Sequence, residues 1–498
     1  MDASRNLYAI LGVPPEATQD DIRDAYRVAA RRFHPDANPN EGADVQFRDI
    51  AAAYETLGNS RQRVRYDAAR RKFQDEPPYF TLRVTPSKRV LGTLEEPQVI
   101  YLLLEVVPMR QHMLEEVQRE TRLNLTLVLD RSKSMQGIRL EKVKIAAHEI
   151  IENLAEDDVL SIVSFSDRAE VMIPATPVVD KMSMRAIVSM MRADGGTEIF
   201  HGLRAGFQES QRYLGPNMVN HIILLTDGRT FGDEEQSLAL AEEVADLGIG
   251  ISAMGIGDEW NDSFLDALAS RTGGASAYIN TPAAVVRFLN ERVRSLGAAF
   301  GERLRVSIAP DADVTLESLF KLQPNPQPID VSPQPIPFGS LEINRTMSAL
   351  IQLQMPPSVK TGFRTVARID VTGDVLAADR QGYKVLSDIS VEVANNPVAE
   401  DPPVSILDAL GKLTLYRMQQ KAEAALDDGN VTEATRRLEN LATRLLAAGQ
   451  EDLAQMAIVE ARRVAQTNML SETGRKTLKF GTRMLLLGPP NSDAGEGA

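Results

Sequence analysis

Residues 123–137 read LNLTLVLDRSKSMQG. A run of apolar and β-prone side chains stops at an aspartate, and two serines follow at alternate positions, Asp130-x-Ser132-x-Ser134. A mostly apolar, β-prone run of this kind marks a strand buried on both faces, as in a parallel sheet covered by helices. A strand tip bearing three oxygen-carrying side chains is suited to hold something, because ligands of open α/β sheets bind beyond the carboxyl ends of the strands.

The neighbouring sequence supplies the rest of such a domain. From 121 to 297, strand-like segments (VLSIVSFSD, HIILLTDG, GIGISAMGIG) alternate with helical ones such as IRLEKVKIAAHEIIENLA and EEQSLALAEEVADLG. That alternation predicts a doubly wound, Rossmann-like α/β fold. Two further oxygen donors fall at matching places. Thr197 lies in the glycine-rich DGGTEIFHGL before a helix, and Asp227 ends the strand HIILLTDG. Asp130, Ser132, Ser134, Thr197 and Asp227 together offer two carboxylates and three hydroxyls, with no His or Cys. These are hard donors, suited to Mg2+, with Mn2+ or Ca2+ as options, and poorly suited to zinc. Each part alone is a weak signal, since Ser134 could cap the following helix and GGTE or TDG could be ordinary turns. The combination resembles the metal-ion-dependent adhesion site of the von Willebrand factor A family. The resemblance implies direct hydroxyl ligation by Ser132, Ser134 and Thr197, and a direct or water-mediated role for Asp130 and Asp227. It also implies a metal that bridges to an Asp or Glu carboxylate of a protein partner.

The first 72 residues are of another kind. TQDDIRDAYRVAARRF opens with Thr18 as an N-cap and acidic residues in the first turn, and its apolar positions recur at helical spacing. DVQFRDIAAAYETL is a second amphipathic helix, and HPDANPNEG breaks the pattern between them. This setting of His34-Pro35-Asp36 resembles a J-domain of the DnaJ family: Tyr8, Leu11, Ala25, Tyr26, Phe33, Phe47, Ile50, Ala53, Tyr54 and Leu57 fill framework positions, and Arg65-Tyr66-Asp67 closes it. The resemblance implies a DnaK-type chaperone as partner, met by His34, Pro35 and Asp36 and by the basic face of Arg23, Arg27, Arg31 and Arg32. The first three arginines recur every four residues with Arg32 adjacent, so they form one positive stripe. No Gly/Phe-rich linker follows, and the absence of cysteine excludes the zinc region of longer relatives.

Between and beyond these segments the period changes. YFTLRVTPSKRVL and PQVIYLLLEVVP are strand-like, 109–120 reads as a connector, and strand patterns return from 298 to about 400. A small antiparallel β-sandwich is expected there, with 73–120 as part of it and the α/β domain inserted in its sequence. Residues 401–486 read as an α-helical domain containing a hairpin that resembles a repeat unit, and 487–498 as a disordered tail. Arg437, Arg444, Arg462 and Arg463 alternate there with Glu423, Glu433, Glu439 and Glu460 and read as a solvated face. His148, His201 and His221 read as packing or supporting residues. Trp260 either rims the site or packs.

Bulk properties narrow the function. The net charge is −14; positions 1–72 carry 12 basic and 11 acidic residues (+1), leaving −15 for the remainder. An acidic body argues against nucleic acid and anionic membranes as partners. There is no long apolar run and no signal-peptide pattern, so the expected location is the cytoplasm. The oxygen set has no nucleophile–base pair beside it, so no enzyme is expected. The sequence predicts an adaptor co-chaperone that stimulates a DnaK-type ATPase and binds a protein through Mg2+. The alternative is a metal-dependent interaction scaffold serving another machine, such as an AAA-type ATPase.

Overall fold

The computed structural model describes residues 5–71, 78–109, 121–215, 217–230, 232–357, 360–376, 378, 380–398 and 400–487. In chain order the elements are α1 (Leu7–Leu11), α2 (Gln19–Phe33), α3 (Glu41–Leu57), α4 (Ser60–Arg70), β1 (Phe80–Pro86), β2 (Val90–Gly92) and β3 (Gln98–Pro108). The α/β part follows: β4 (Arg122–Asp130), α5 (Ile138–Asn153), β5 (Val159–Phe165), β6 (Ala169–Pro177), α6 (Lys181–Ser189), α7 (Ile199–Ser210), β7 (Met218–Thr226), α8 (Glu234–Asp246), β8 (Gly250–Ile256), α9 (Asp262–Arg271), β9 (Ser276–Ile279) and α10 (Ala284–Gly297). Next come β10 (Ala299–Pro310), β11 (Thr315–Gln323), β12 (Gln327–Ile329), β13 (Ile336–Glu342), β14 (Met347–Met355), β15 (Gly362–Val375) and β16 (Arg380–Ala394). The chain closes with α11 (Val404–Asp427), α12 (Val431–Ala447), α13 (Glu451–Thr467) and α14 (Glu472–Met484). The predicted connector lies outside the described residues except for its first residue, and the predicted tail lies outside them except for Leu487.

Two compact units form: one from Met1–Thr121, Ala298–Lys321 and Pro328–Pro403, the other from Arg122–Gly297, Leu322–Gln327 and Val404–Ala498. In the first, Thr18 closes a capping box with Asp21 at the start of α2. Tyr8, Ile22, Phe33, Ile50, Ala53, Leu57 and Tyr66 build the core of the four-helix segment. Tyr66 donates to the Arg5 carbonyl at 2.6 Å and accepts from the Leu7 amide at 3.0 Å, which ties α4 back to α1. Tyr26 and Tyr54 stack 4.1 Å apart between α2 and α3.

The same unit holds the sandwich, with sheet orders β1-β3-β14-β11-β12 and β13-β10-β15-β16-β2. Strands from before and after the α/β sequence pair directly, Leu102 standing opposite Ile351 on β14. One ladder departs from the antiparallel expectation: β2 runs parallel to β16.

The helical segment is packed onto this sandwich. Arg32 at the end of α2 binds Asp311 (2.9 Å) and Asp388 (3.1 Å), and Asn38 donates to the Pro310 carbonyl at 2.9 Å. Arg368 donates to the Ile10 carbonyl at 2.9 Å and lies over the ring of Phe33. Lys384 pairs with Asp49 and, at 3.0 Å, with Asp370. Gly42 on α3 approaches β10 so closely that a Cβ there would overlap the Ile308 carbonyl.

In the second unit one sheet has the order β6-β5-β4-β7-β8-β9, parallel except for the antiparallel edge strand β6. Where one helical hairpin was expected, α12–α13 are joined by α11 and α14. Amphipathic α14 turns a basic face inward. Arg475 binds Asp262 at 2.7 Å, Lys476 donates to the Trp260 carbonyl at 2.6 Å, Lys479 binds Asp262 and Asp266, and Arg483 binds Asp266. The expected solvated Arg/Glu face is corrected at two positions. Glu460 is buried and accepts from the Ser471 amide at 2.8 Å and hydroxyl at 2.6 Å, and Glu423 binds Arg475 at 3.0 Å. A buried carboxylate needs such donors to offset lost hydration.

Burial by itself would raise the Asp266 carboxyl, but the charges of Arg483 and Lys479 outweigh it and hold the carboxyl well below the usual range. A depressed carboxyl stabilises the fold above its unfolded-state pKa of about 3.9 and loses that contribution as pH falls further. Asp266→Asn should therefore lower stability by about 3 kcal/mol at neutral pH, because it takes the carboxylate from buried Arg483 and one of the two carboxylates from Lys479. Thermal melts of the full chain should show the gap to wild type narrowing below about pH 4. Gly42→Val should cost about 2 kcal/mol through overpacking and speed amide exchange in α3; unchanged exchange would mean that α3 does not depend on the close approach to β10.

Candidate functional site

β4 and β7 are adjacent parallel strands, and β5 and β8 flank them on opposite sides. The order therefore reverses between β4 and β7, and their carboxyl ends form the switch-point crevice. Asp130 is the last residue of β4, and Asp227 follows the last residue of β7. Ser132 and Ser134 lie in the turn before α5.

The third arm is positioned by α7. Gly206 lets that helix sit against β4, since a Cβ there would press on the Val128 side chain. The first α7 amides are held by the segment after Asp227: Ile199 N donates to Thr230 Oγ1 at 3.1 Å, and Phe200 N to Asp233 Oδ2 at 2.8 Å. The loop ahead of α7 is tied to the β4 turn, with Asp194 N to Arg131 O at 2.8 Å and Lys133 N to Gly195 O at 3.2 Å. Thr197 is thereby brought against Gly228, where a Cβ would stand 3.0 Å from its hydroxyl oxygen.

All five residues of the predicted oxygen set converge. Ser132 and Ser134 hydroxyls are 3.0 Å apart, and Ser134 donates to Asp227 Oδ1 at 2.6 Å. Asp130 accepts from the Ser132 amide at 2.8 Å and the Thr226 hydroxyl at 2.6 Å. Burial pushes the Asp130 carboxyl up to about 6, the Thr226 and Ser132 hydrogen bonds oppose that rise, and the nearby Asp227 charge adds to it. Such a carboxyl gains from any cation placed beside it. Among the described residues no group of three or more His, Cys, Asp or Glu could hold a metal, so a cation here would depend on the hydroxyls as well. Two carboxylates and three hydroxyls in one crevice fit a hard divalent ion.

Sequence reading missed two participants. Thr226 orients Asp130, and its place beside the aspartate in TDG was the available signal. Arg139, on the first turn of α5, donates to Asp227 Oδ2 at 2.6 Å. Nothing in its local pattern announces that.

The remaining single residues have structural partners. Trp260 is fully buried and donates to the Gly257 carbonyl at 2.7 Å, so it packs rather than rims the crevice. His221 contacts Ser252 Oγ at 2.9 Å, and burial drives its ring well below the ordinary pKa. His148 contacts the Arg185 carbonyl at 3.1 Å. His201 pairs with Glu198 at 3.0 Å.

In the first unit, His34, Pro35 and Asp36 are exposed, with the His34 ring against Phe47 at 5.2 Å. Arg23, Arg27 and Arg31 also face solvent. Arg32 does not continue that open stripe, because Asp311 and Asp388 bind it.

Comparison with known proteins agrees with this division. Residues 124–291 match the von Willebrand factor type A domain, and residues 6–67 match the DnaJ domain. Residues 404–488 match the Sll0103-like C-terminal alpha-helical domain. The chain thus carries a DnaJ domain and a von Willebrand factor A domain, with a β-rich middle region and a C-terminal helical domain. It is 29% identical over 390 residues to the uncharacterized protein sll0103 of Synechocystis sp., covering 75% of this chain and 91% of that protein. The chaperone protein DnaJ of Staphylococcus epidermidis is 46% identical over 65 residues, 13% of this chain and only 17% of DnaJ. Among solved structures, a von Willebrand factor type A protein from Catenulispora acidiphila aligns with a TM-score of 0.64 at 16% identity, over 82% of this chain and 98% of its own. The ArnB paralog VWA2 from Sulfolobus acidocaldarius aligns with a TM-score of 0.51 at 13% identity, over 83% of this chain and all of its own. These two likenesses concern the fold alone.

Proposed function

We propose that this protein is an adaptor co-chaperone: its von Willebrand factor A domain binds a protein ligand through a divalent cation, and its DnaJ domain brings a DnaK-type ATPase to that ligand. The observation that carries the reading is the convergence of Asp130, Ser132, Ser134, Thr197 and Asp227 at one switch point, from positions spread across much of the domain. Mg2+ is the preferred ion. Its octahedral shell, incompletely filled by these groups, leaves room for a carboxylate from the ligand. Three neutral hydroxyls with two carboxylates leave the cation electron-poor, which favours an incoming Asp or Glu.

The exposed His34-Pro35-Asp36 loop and the solvent-facing Arg23, Arg27 and Arg31, the first two paired with Asp20 and Asp24 on the same helix, support the chaperone half. A positive helix face beside an exposed loop suits steering toward an acidic surface. Binding, rather than catalysis, is the role proposed for the α/β domain. Among the described residues no helix is long and apolar enough to cross a membrane.

Steady-state ATPase assays with the full chain and a cognate DnaK-type protein should show several-fold stimulation, and His34→Gln should abolish it. No stimulation by wild type would remove the chaperone half. Affinity capture with the intact protein should retain a ligand in Mg2+ and lose it in chelator, and Asp130→Ala or Thr197→Ala should lose it in both. Capture indifferent to chelator and to these substitutions would remove the metal half.

A further inference from the structure

Arg139 occupies an unfavourable place for a cation. It is the second residue of α5, at the positive end of the helix dipole, where acidic side chains are favoured. Its guanidinium Nη1 nevertheless reaches into the crevice, 2.6 Å from Asp227 Oδ2 and 3.4 Å from the Ser134 carbonyl oxygen. The side chain also passes close to Gly257, where a Cβ would meet Nη2 at 3.2 Å. The exposures are asymmetric: the Asp227 side chain is 0% exposed and that of Arg139 36%. The carboxylate is fixed inside the crevice, whereas the cation reaches it from a partly solvated stem and can withdraw.

We propose that Arg139 is a tethered counter-ion for Asp227 that competes with the divalent cation of the adhesion site. The inference rests on the metal reading above. With Arg139 in place, Asp227 is neutralised on one oxygen while the other accepts from Ser134. A divalent ion drawn to the same carboxylate meets a guanidinium of like charge in a poorly hydrated crevice, where repulsion is strong. Binding of the ion then requires Arg139 to give up Asp227 to it. Metal affinity is thereby set lower than the five oxygen groups alone would give, and the site changes from an internal ion pair to an externally supplied cation. Removing the guanidinium takes the ion-pair partner from Asp227 and leaves its repulsion with Asp130 less offset until a metal arrives.

The test is Mg2+ titration by calorimetry on full-length wild type and Arg139→Gln, with thermal melts in chelator and in saturating Mg2+. The variant should bind Mg2+ about tenfold more tightly. It should melt below wild type in chelator and recover to wild type or above in Mg2+. Binding by the variant alone would also support the proposal, as would folding of the variant only when Mg2+ is present. Equal or weaker affinity in the variant, or an equal loss of stability in both conditions, would assign Arg139 a purely structural role and overturn the proposal while leaving the metal reading intact. If neither protein binds Mg2+ or Mn2+, the metal reading fails and the proposal fails with it.

Discussion

Two carboxylates, Asp130 and Asp227, stand at the ends of adjacent strands in a crevice where neither side chain is open to water. Unpaired charges of like sign are strongly disfavoured in such a place. The surroundings follow from that constraint. A hydroxyl and an amide hold Asp130, a serine and an arginine hold Asp227, and Thr197 is drawn in beside Gly228. The backbone bonds between the loops at 131–133 and 194–195, and the α7 amides held by Thr230 and Asp233, make one rigid rim from three separate stretches of chain. The crevice is preorganised for positive charge, and Arg139 supplies one from within.

The same physics recurs elsewhere in the chain. Asp311 and Asp388 hold Arg32, Lys384 is shared by Asp49 and Asp370, and α14 seats four long cations on Asp262, Asp266 and the Trp260 carbonyl. Removing one partner from such a network costs far more than the net contribution of the intact pair. These networks fix position as much as they stabilise. The DnaJ domain is held on the sandwich by Arg32, Asn38, Gly42 and Arg368 rather than hanging from a flexible tether. The exposed His34-Pro35-Asp36 loop is therefore presented in a fixed orientation relative to the sandwich, with Arg32 withdrawn from the basic stripe.

The alternation of 121–297, the framework of the first 72 residues and the Asp130-x-Ser132-x-Ser134 run were legible in sequence because each is local or periodic. A buried parallel strand is a continuous apolar run, a helix face recurs at 3.6 residues, and a motif such as Asp130-x-Ser132-x-Ser134 sits within one turn. What could not be read were long-range choices among identical side chains. Arg32 looks like Arg31 in the sequence, yet one meets Asp311 and Asp388 and the other meets water. Glu460 looks like any surface glutamate on a helix, yet it is buried against Ser471. Lys476, Lys479 and Arg483 lie on the inward face of α14, where a polar pattern would ordinarily signal solvent.

The sequence by itself determined the class of each segment and put aspartates at the ends of two apolar strands, because hydrophobic period and short-range spacing carry that information. Only the tertiary structure decided which charges pair. Ion pairing depends on through-space distance between residues far apart in the chain, and no local pattern distinguishes an arginine destined for Asp227 from one destined for solvent.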